Sequence, residues 1–155
     1  SIMYAYAGLV AGGLLSGFSS QVFRSRKRIV FIFLLLTSAL IIVYLNSFNI
    51  PLKLFYSLCF ALGISIGYWA VFVTIASEQF GTNLRSTVTT TVPNFVRGGV
   101  VLITLSFQTL KGSFGLIGAA YIVGFIALAL AVLSLFYMEE TYHKDLNYLE
   151  ENQGE

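Results

Sequence analysis

Uncharged, largely apolar stretches follow one another along the chain and are separated by short charged segments. A helix that rises 1.5 Å per residue needs about 20 residues to cross about 30 Å of hydrocarbon. Each stretch has about that length, and runs such as 31–36 do not alternate between polar and apolar positions as barrel strands do. The pattern predicts an all-α, polytopic membrane helix bundle with five transmembrane helices. They are expected at about 3–23, 29–46, 54–77, 86–108 and 115–138, followed by an acidic tail at 139–155.

Composition excludes several classes of protein. Hydrophobic residues make up 57% of the chain and charged residues 10%, with a mean hydropathy of +0.82, whereas soluble domains carry about 25% charged residues. Intrinsic disorder requires low hydrophobicity, and a disulfide framework requires more than the single Cys59. The bundle is therefore expected to lie in lipid.

The distribution of lysine and arginine predicts the orientation. If the loop 24–28 is cytoplasmic, strict alternation places six basic residues on the cytoplasmic side and two, Lys53 and Lys111, on the other. This is the bias that the positive-inside rule describes. We expect an integral protein of a cytoplasmic (inner or plasma) membrane with a cytoplasmic C-terminus. The basic loop is interpreted as an anchor at anionic lipid and not as a nucleic-acid site.

Small residues recur at helical spacing in three of the spans. Such ladders allow close approach of helix backbones in lipid, so they predict helix packing. The second span lacks a ladder and is expected at the lipid-facing periphery. The ladders are Gly8, Gly12, Ser16 and Ser20 in the first span, Gly63, Gly67, Ala70 and Thr74 in the third, and Ala120, Gly124, Ala127, Ala131 and Ser134 in the fifth.

The fourth span carries a polar stripe. Its members recur at steps of three and four and share one helix face: Thr87, Thr90, Asn94, Arg97, Val101, Thr104 and Gln108. Arg97 lies 12 residues after Arg85, about 18 Å into the span. A charge at that depth costs about 2.5 to 3.5 kcal/mol on insertion scales, so the stripe is expected to face protein or water. Either Arg97 lines a substrate or gating pathway, or it forms a buried ion pair or hydrogen-bonded lock with another helix.

Pro93 lies four residues before Arg97 and lacks the N–H that a helix interior needs. It predicts a loosened or broken helix there, as transporters have at midplane sites. The alternative is that Thr89, Thr90 and Thr91 satisfy the local backbone.

Reactive groups are too sparse for an enzyme. Glu78 is the only acid before the tail, His143 is the only histidine, and no nucleophile has a neighbouring base. We expect neither a metal nor a cofactor. Tyr68 and Trp69 lie deep in the third span, where they either contact a cavity or pack between helices.

Four segments, in order, resemble the major facilitator superfamily. Residues 13–28 resemble its glycine-rich, basic-ended loop between helices eight and nine, with Ser16 in place of the usual Asp. Residues 76–85 resemble the acidic loop between helices ten and eleven, and Asn94 with Arg97, Gly98 and Gly99 resembles a helix-eleven pattern. Residues 140–151 resemble the motif that follows helix twelve, without its Pro.

The resemblance implies helices eight to twelve of a twelve-helix secondary carrier, without the N-terminal half and helix seven. The expected partners are a small-molecule solute, membrane lipid and that N-terminal half. The alternatives are a channel or pore subunit and a non-transporting membrane scaffold.

The tail is expected to form a short amphipathic helix with Tyr142, Leu146 and Leu149 on one face. Candidate substrate-binding residues are Tyr68, Trp69, Thr90, Asn94 and Arg97, and candidate gating residues are Ser16, Arg24, Arg26, Glu78 and Arg85.

Overall fold

The computed structural model describes residues 1–142, and these form helices joined by short connections, with no strand in that range. The structure divides into two compact units: Ser1–Phe72 together with Met138–Tyr142, and Val73–Tyr137 within the described part of the chain. By length and composition, the helical segments Ile2–Val22, Arg26–Asn46, Leu52–Glu78 and Thr82–Tyr137 could cross a membrane. The helices are α1 (Ile2–Val22), α2 (Arg26–Asn46), α3 (Leu52–Ile66), α4 (Trp69–Glu78) and α5 (Thr82–Tyr137).

Helix α1 runs parallel to α3 at very short distance. A Cβ atom added to Gly12 would lie 2.2 Å from the carbonyl oxygen of Ile64, and one added to Gly63 would lie 2.1 Å from that of Ala5. At the start of both helices the rings of Tyr4 and Tyr56 stack with centroids 4.9 Å apart. The ladders of the first and third spans therefore pack on one another, as their spacing predicts.

Helix α2 begins three residues before its expected start. The N-cap residue Ser25 is extended, and its hydroxyl accepts a hydrogen bond from the N–H of Arg28. This satisfies one of the amides that a helix leaves unpaired at its N-terminus. The first turn of α2 is therefore built from the basic residues 26–28, which the sequence pattern assigned to a loop.

The first half of α2 buries one of its faces and exposes the other. Ile29, Val30, Phe33 and Leu34 are buried, whereas Phe31, Ile32, Leu35 and Leu36 are exposed. Without a small-residue ladder, α2 packs with larger side chains against α1 and α3. Its position at the lipid-facing periphery stays a prediction.

The third predicted span is broken. Helix α3 ends at Ile66 and α4 begins at Trp69, with Gly67 and Tyr68 between them. The N–H of Gly67 donates to the carbonyl of Ile64, three residues back, at 3.0 Å. This shorter pairing tightens the last turn of α3, as is common where an α-helix ends.

Helix α5 consists of two helical segments, 82–114 and 116–137. Its backbone leaves helical geometry at Gly115, where φ is 71° and ψ is 177°. Only glycine adopts such a conformation readily. The helix continues through Pro93, so the break expected at that residue is wrong.

Candidate functional site

Three of the predicted substrate-binding residues, Thr90, Asn94 and Arg97, are linked along one face of α5. The Nη1 atom of Arg97 donates to the Oδ1 atom of Asn94 at 3.3 Å, and Asn94 Nδ2 donates to the carbonyl oxygen of Thr90 at 3.1 Å. All three residues are exposed. The side-chain amide therefore orients the guanidinium on the stripe that the sequence predicts.

The charge of Arg97 has no acid beside it in the unit Val73–Tyr137. Glu78 is the one carboxylate in that part of the sequence, and it lies at the end of α4. Asn94 is neutral, so it positions the guanidinium without cancelling its charge. A guanidinium carries five N–H donors in a planar fork, a geometry suited to a carboxylate or phosphate. The arrangement can therefore bind an anionic group presented to α5.

Threonine hydroxyls donate hydrogen bonds to backbone carbonyls in the part of α5 that precedes Pro93. Thr89 Oγ1 donates to the carbonyls of Arg85 and Ser86 at 2.9 and 3.0 Å, and Thr90 Oγ1 donates to that of Ser86 at 2.9 Å. Side chains of this type commonly return their hydrogen bond to the preceding turn. These hydrogen bonds go to the carbonyls of Arg85 and Ser86, whereas the carbonyl that Pro93 deprives of a donor is that of Thr89, so they do not test the alternative in which threonines satisfy the backbone at Pro93.

Tyr68 and Trp69 lie at the break between α3 and α4. Tyr68 is half-buried within the break, and Trp69 is the first residue of α4 with 38% of its surface exposed. The indole packs on Phe72 with ring centroids 5.4 Å apart. The structure thus places the two aromatic candidates at an interruption of the helix, which the sequence analysis placed at Pro93 instead.

Ser16 also belongs to this break. It is fully buried, and its hydroxyl lies 3.0 Å from the carbonyl oxygen of Gly67 and 3.0 Å from that of Gly13. The sequence predicts Ser16 as a gating residue together with the basic loop. Its contacts in the structure are instead with the interrupted third span.

The basic loop binds a carboxylate that sequence reasoning did not select. Glu140 Oε1 accepts from the backbone N–H of Arg26 at 2.9 Å, and its Oε2 accepts from the N–H of Lys27 at 3.3 Å and from the Ser25 hydroxyl. Lys27 Nζ donates to the carbonyl of Met138 at 2.9 Å. We call the contact of Glu140 with Ser25, Arg26 and Lys27 the Glu140 cap.

Electrostatics stabilise the Glu140 cap in its charged form. A carboxylate at a helix N-terminus faces the positive end of the helix dipole and unpaired N–H groups. Partial burial by itself would raise the pKa of the Glu140 carboxyl. The hydrogen bonds from Ser25 and from the backbone of Arg26, Tyr142 and Lys27 outweigh it and hold that pKa below its ordinary value.

Arg26, a predicted gating residue, contacts both the last part of α1 and the segment that follows Glu140. Its Nη1 atom donates to Ser20 Oγ at 2.9 Å, and its guanidinium lies 5.5 Å from the centroid of the Tyr142 ring. Arg24 is exposed and adopts a left-handed backbone conformation with φ of 49°. The turn at Arg24 directs the chain from α1 into the extended Ser25 that caps α2.

Two further gating candidates, Glu78 and Arg85, lie where α4 ends and α5 begins. Arg85 Nε donates to the carbonyl oxygen of Ser77 at 3.1 Å, and Glu78 is buried with 6% of its surface exposed. A cation is favourable at the C-terminal end of a helix, where carbonyl oxygens lack partners. Arg85 therefore stabilises the end of α4.

A signal for the Glu140 cap was present in the sequence, because Glu140 belongs to the tail motif and Ser25 is a typical N-cap residue. Their separation by more than 100 positions hid the pairing. Of the predicted tail helix, only Tyr142 is within the described residues, and Leu146 and Leu149 lie outside them, as does His143. The chain matches no protein-family model, no curated protein and no solved structure.

Proposed function

We propose that this chain is part of a secondary active transporter that moves a small solute by alternating access. In this proposal its helices correspond to helices eight to twelve of the major facilitator fold, and an N-terminal half completes the solute pathway. The observation that carries the proposal is Arg97, an exposed guanidinium on a polar stripe of a membrane-spanning helix, oriented by Asn94. Exposure of a guanidinium to the hydrocarbon of a membrane is costly, so we expect Arg97 to line a pathway that admits water or solute.

A count of five spans fits the geometry of α5. Gly115 divides it into the segments 82–114 and 116–137, and each is long enough to cross a membrane once, whereas the whole helix is far too long for a single crossing. Five crossings place the two ends of the chain on opposite sides of the membrane. The contact between the basic loop and Glu140 joins the loop and the C-terminal segment at one end of the first unit, as this topology requires.

The positive-inside rule assigns that end to the cytoplasm. In this proposal the gating residues of the first unit are Arg24 and Arg26 in the basic loop, and those of the second unit are Glu78 and Arg85 at the junction of α4 and α5. Tyr68 and Trp69 of the first unit are proposed as aromatic contacts to the solute, and Thr90, Asn94 and Arg97 of the second unit as polar ones. Fusion of a reporter enzyme after residue 155, active only in the cytoplasm, tests the assigned orientation.

The test of the proposed function is uptake by the full-length protein in proteoliposomes. Sugars, amino acids, organic anions and drugs are supplied with and without a proton gradient. For the solute that is taken up, Arg97→Lys is expected to lower kcat/KM at least about ten-fold, because lysine keeps the charge and loses the planar fork. Its yield and thermal stability should stay unchanged.

Phe95→Leu is the matched control, because Phe95 is exposed on the same helix but lies off the polar stripe. It should leave uptake unaltered. Normal uptake by Arg97→Lys would remove the solute-binding role. Loss of folded protein in that variant would instead indicate that Arg97 forms a structural lock.

A further inference from the structure

The break between α3 and α4 leaves backbone carbonyls that need partners. At the C-terminal end of any helix the last carbonyls lack the N–H groups of a following turn. Within a membrane such groups are costly unless neighbouring side chains or helices satisfy them. At this break two of the carbonyls, those of Ser65 and Gly67, accept hydrogen bonds from hydroxyls on neighbouring helices.

The two hydroxyls come from different helices. Ser16 on α1 contacts the Gly67 carbonyl at 3.0 Å, and Thr37 on α2 contacts the Ser65 carbonyl at 3.0 Å. The backbone of α1 also lies directly against the break, because a Cβ atom on Gly67 would be 2.2 Å from the carbonyl carbon of Gly12. Helix α1 therefore contacts the interruption itself, and α2 contacts the last turn of α3 directly before it.

Each hydroxyl also has a second acceptor on its own helix. Ser16 Oγ lies 3.0 Å from the carbonyl oxygen of Gly13, and Thr37 Oγ1 lies 2.8 Å from that of Phe33. A hydroxyl has one hydrogen to donate, so it divides that hydrogen between the two acceptors. If the carbonyl at the break moves away, the hydroxyl keeps a partner on its own helix. Releasing the break therefore leaves no buried hydroxyl unsatisfied.

We propose that Ser16 and Thr37 form a hydroxyl clamp, a pair of positioning residues that hold the backbone at the α3–α4 break closed and release it reversibly. The clamp sets how readily the backbone opens at residues 67–72. Its consequence for transport rests on the proposed carrier function. Its effect on the break does not, because the contacts lie within the unit Ser1–Phe72.

The test measures backbone opening at the break by amide hydrogen exchange of the full-length protein in lipid nanodiscs. Thr37→Val keeps the side-chain shape and removes the hydroxyl, and Ser16→Ala removes the other one. Each is expected to raise exchange at residues 67–72 about three-fold, a factor typical of one hydrogen bond between membrane helices. The double variant should raise it about ten-fold, with exchange at residues 5–12 unchanged.

Two controls separate the clamp from a general loosening of α2. Thr37→Ser retains the hydroxyl and should restore wild-type exchange. Ser38→Ala removes the adjacent hydroxyl, which donates to Leu34 within its own helix at 2.7 Å, and should leave residues 67–72 unaffected. If Ser16→Ala yields no folded protein, the comparison of Thr37→Val with Thr37→Ser decides.

Unchanged exchange at residues 67–72 in Thr37→Val would overturn the clamp. So would an increase in Thr37→Ser equal to that in Thr37→Val, because the methyl packing would then be responsible. If exchange rises as expected and uptake of the transported solute changes with it, clamp and carrier are both supported. If exchange rises and no solute is taken up by the wild type, the clamp stands and the proposed transport function fails.

Discussion

The first and fifth predicted spans carry the same kind of small-residue ladder, yet only one of them is packed in this chain. Gly8, Gly12, Ser16 and Ser20 of α1 are all buried. In the last part of α5, Gly124, Ala127 and Ser134 are exposed, and an added Cβ on Gly124 would meet nothing within 4 Å. A ladder thus allows close approach of backbones, and in this chain the close approach occurs where a second ladder faces the first.

The partner of the α1 ladder is the ladder of α3. Gly8 and Gly12 oppose Gly63 and Gly67 at a nearly constant offset along the two parallel helices. Dispersion between closely spaced backbones then stabilises the pair in lipid, where apolar burial contributes little. The exposed ladder of α5 is available for contact with other helices, in agreement with the proposal that an N-terminal half completes the protein.

The largest expected effect comes from closing the space between α1 and α3. Gly12→Ala should destabilise the folded protein by more than about 2 kcal/mol, because its Cβ would lie 2.2 Å from the Ile64 carbonyl oxygen and both backbones would have to shift. Thermal unfolding in detergent measures the change. Gly124→Ala is the matched control and should be neutral or stabilising by up to about 1 kcal/mol, since alanine favours helix over glycine. Equal losses in both variants would contradict the distinction between the two ladders.

A smaller effect is expected at the Glu140 cap. Glu140→Gln removes the charge that faces the helix N-terminus and should weaken the contact by about 1 kcal/mol. Trypsin should then cleave the basic segment 24–28 several-fold faster than in the wild type. If Glu140→Gln is cleaved at the wild-type rate, the cap does not hold the segment.

The smallest effect is the pH dependence of the same contact. Because the pKa of Glu140 is lower in the folded protein than its ordinary value, the cap contributes stability above the ordinary pKa of a glutamate. That contribution is lost only as the pH falls through the lowered value. The side-chain carboxyl resonance of ¹³C-labelled Glu140, assigned by its absence in Glu140→Gln, should titrate with a midpoint below that of a glutamate in an unstructured peptide. A midpoint equal to or above that of the peptide would contradict the cap.

The fold could be predicted from the sequence where the signal is local. Apolar runs indicate helices long enough to span a membrane, and the ladders of the first and third spans indicate that these helices pack closely, without saying on which partner. The sequence predicts an interruption at Pro93, because proline disrupts a helix. The structure has one at Gly67 and Tyr68, which are common residues in membrane helices. At the break Gly12 and Ser16 of α1 contact Gly67, and Thr37 of α2 donates to the Ser65 carbonyl.

The candidate site divides in the same way. The polar face with Thr90, Asn94 and Arg97 follows from helical periodicity, so the sequence suffices to place these residues together. The Glu140 cap depends on residues 25–27 meeting residue 140, and no local pattern encodes that contact. The sequence by itself determined that the chain is helical and that its helices are apolar and long enough to cross a membrane, since these properties depend on neighbours within a few turns. Only the tertiary structure decided which small residues find partners, where the third span breaks and which carboxylate caps α2, because those outcomes depend on groups far apart in the chain arriving at one place.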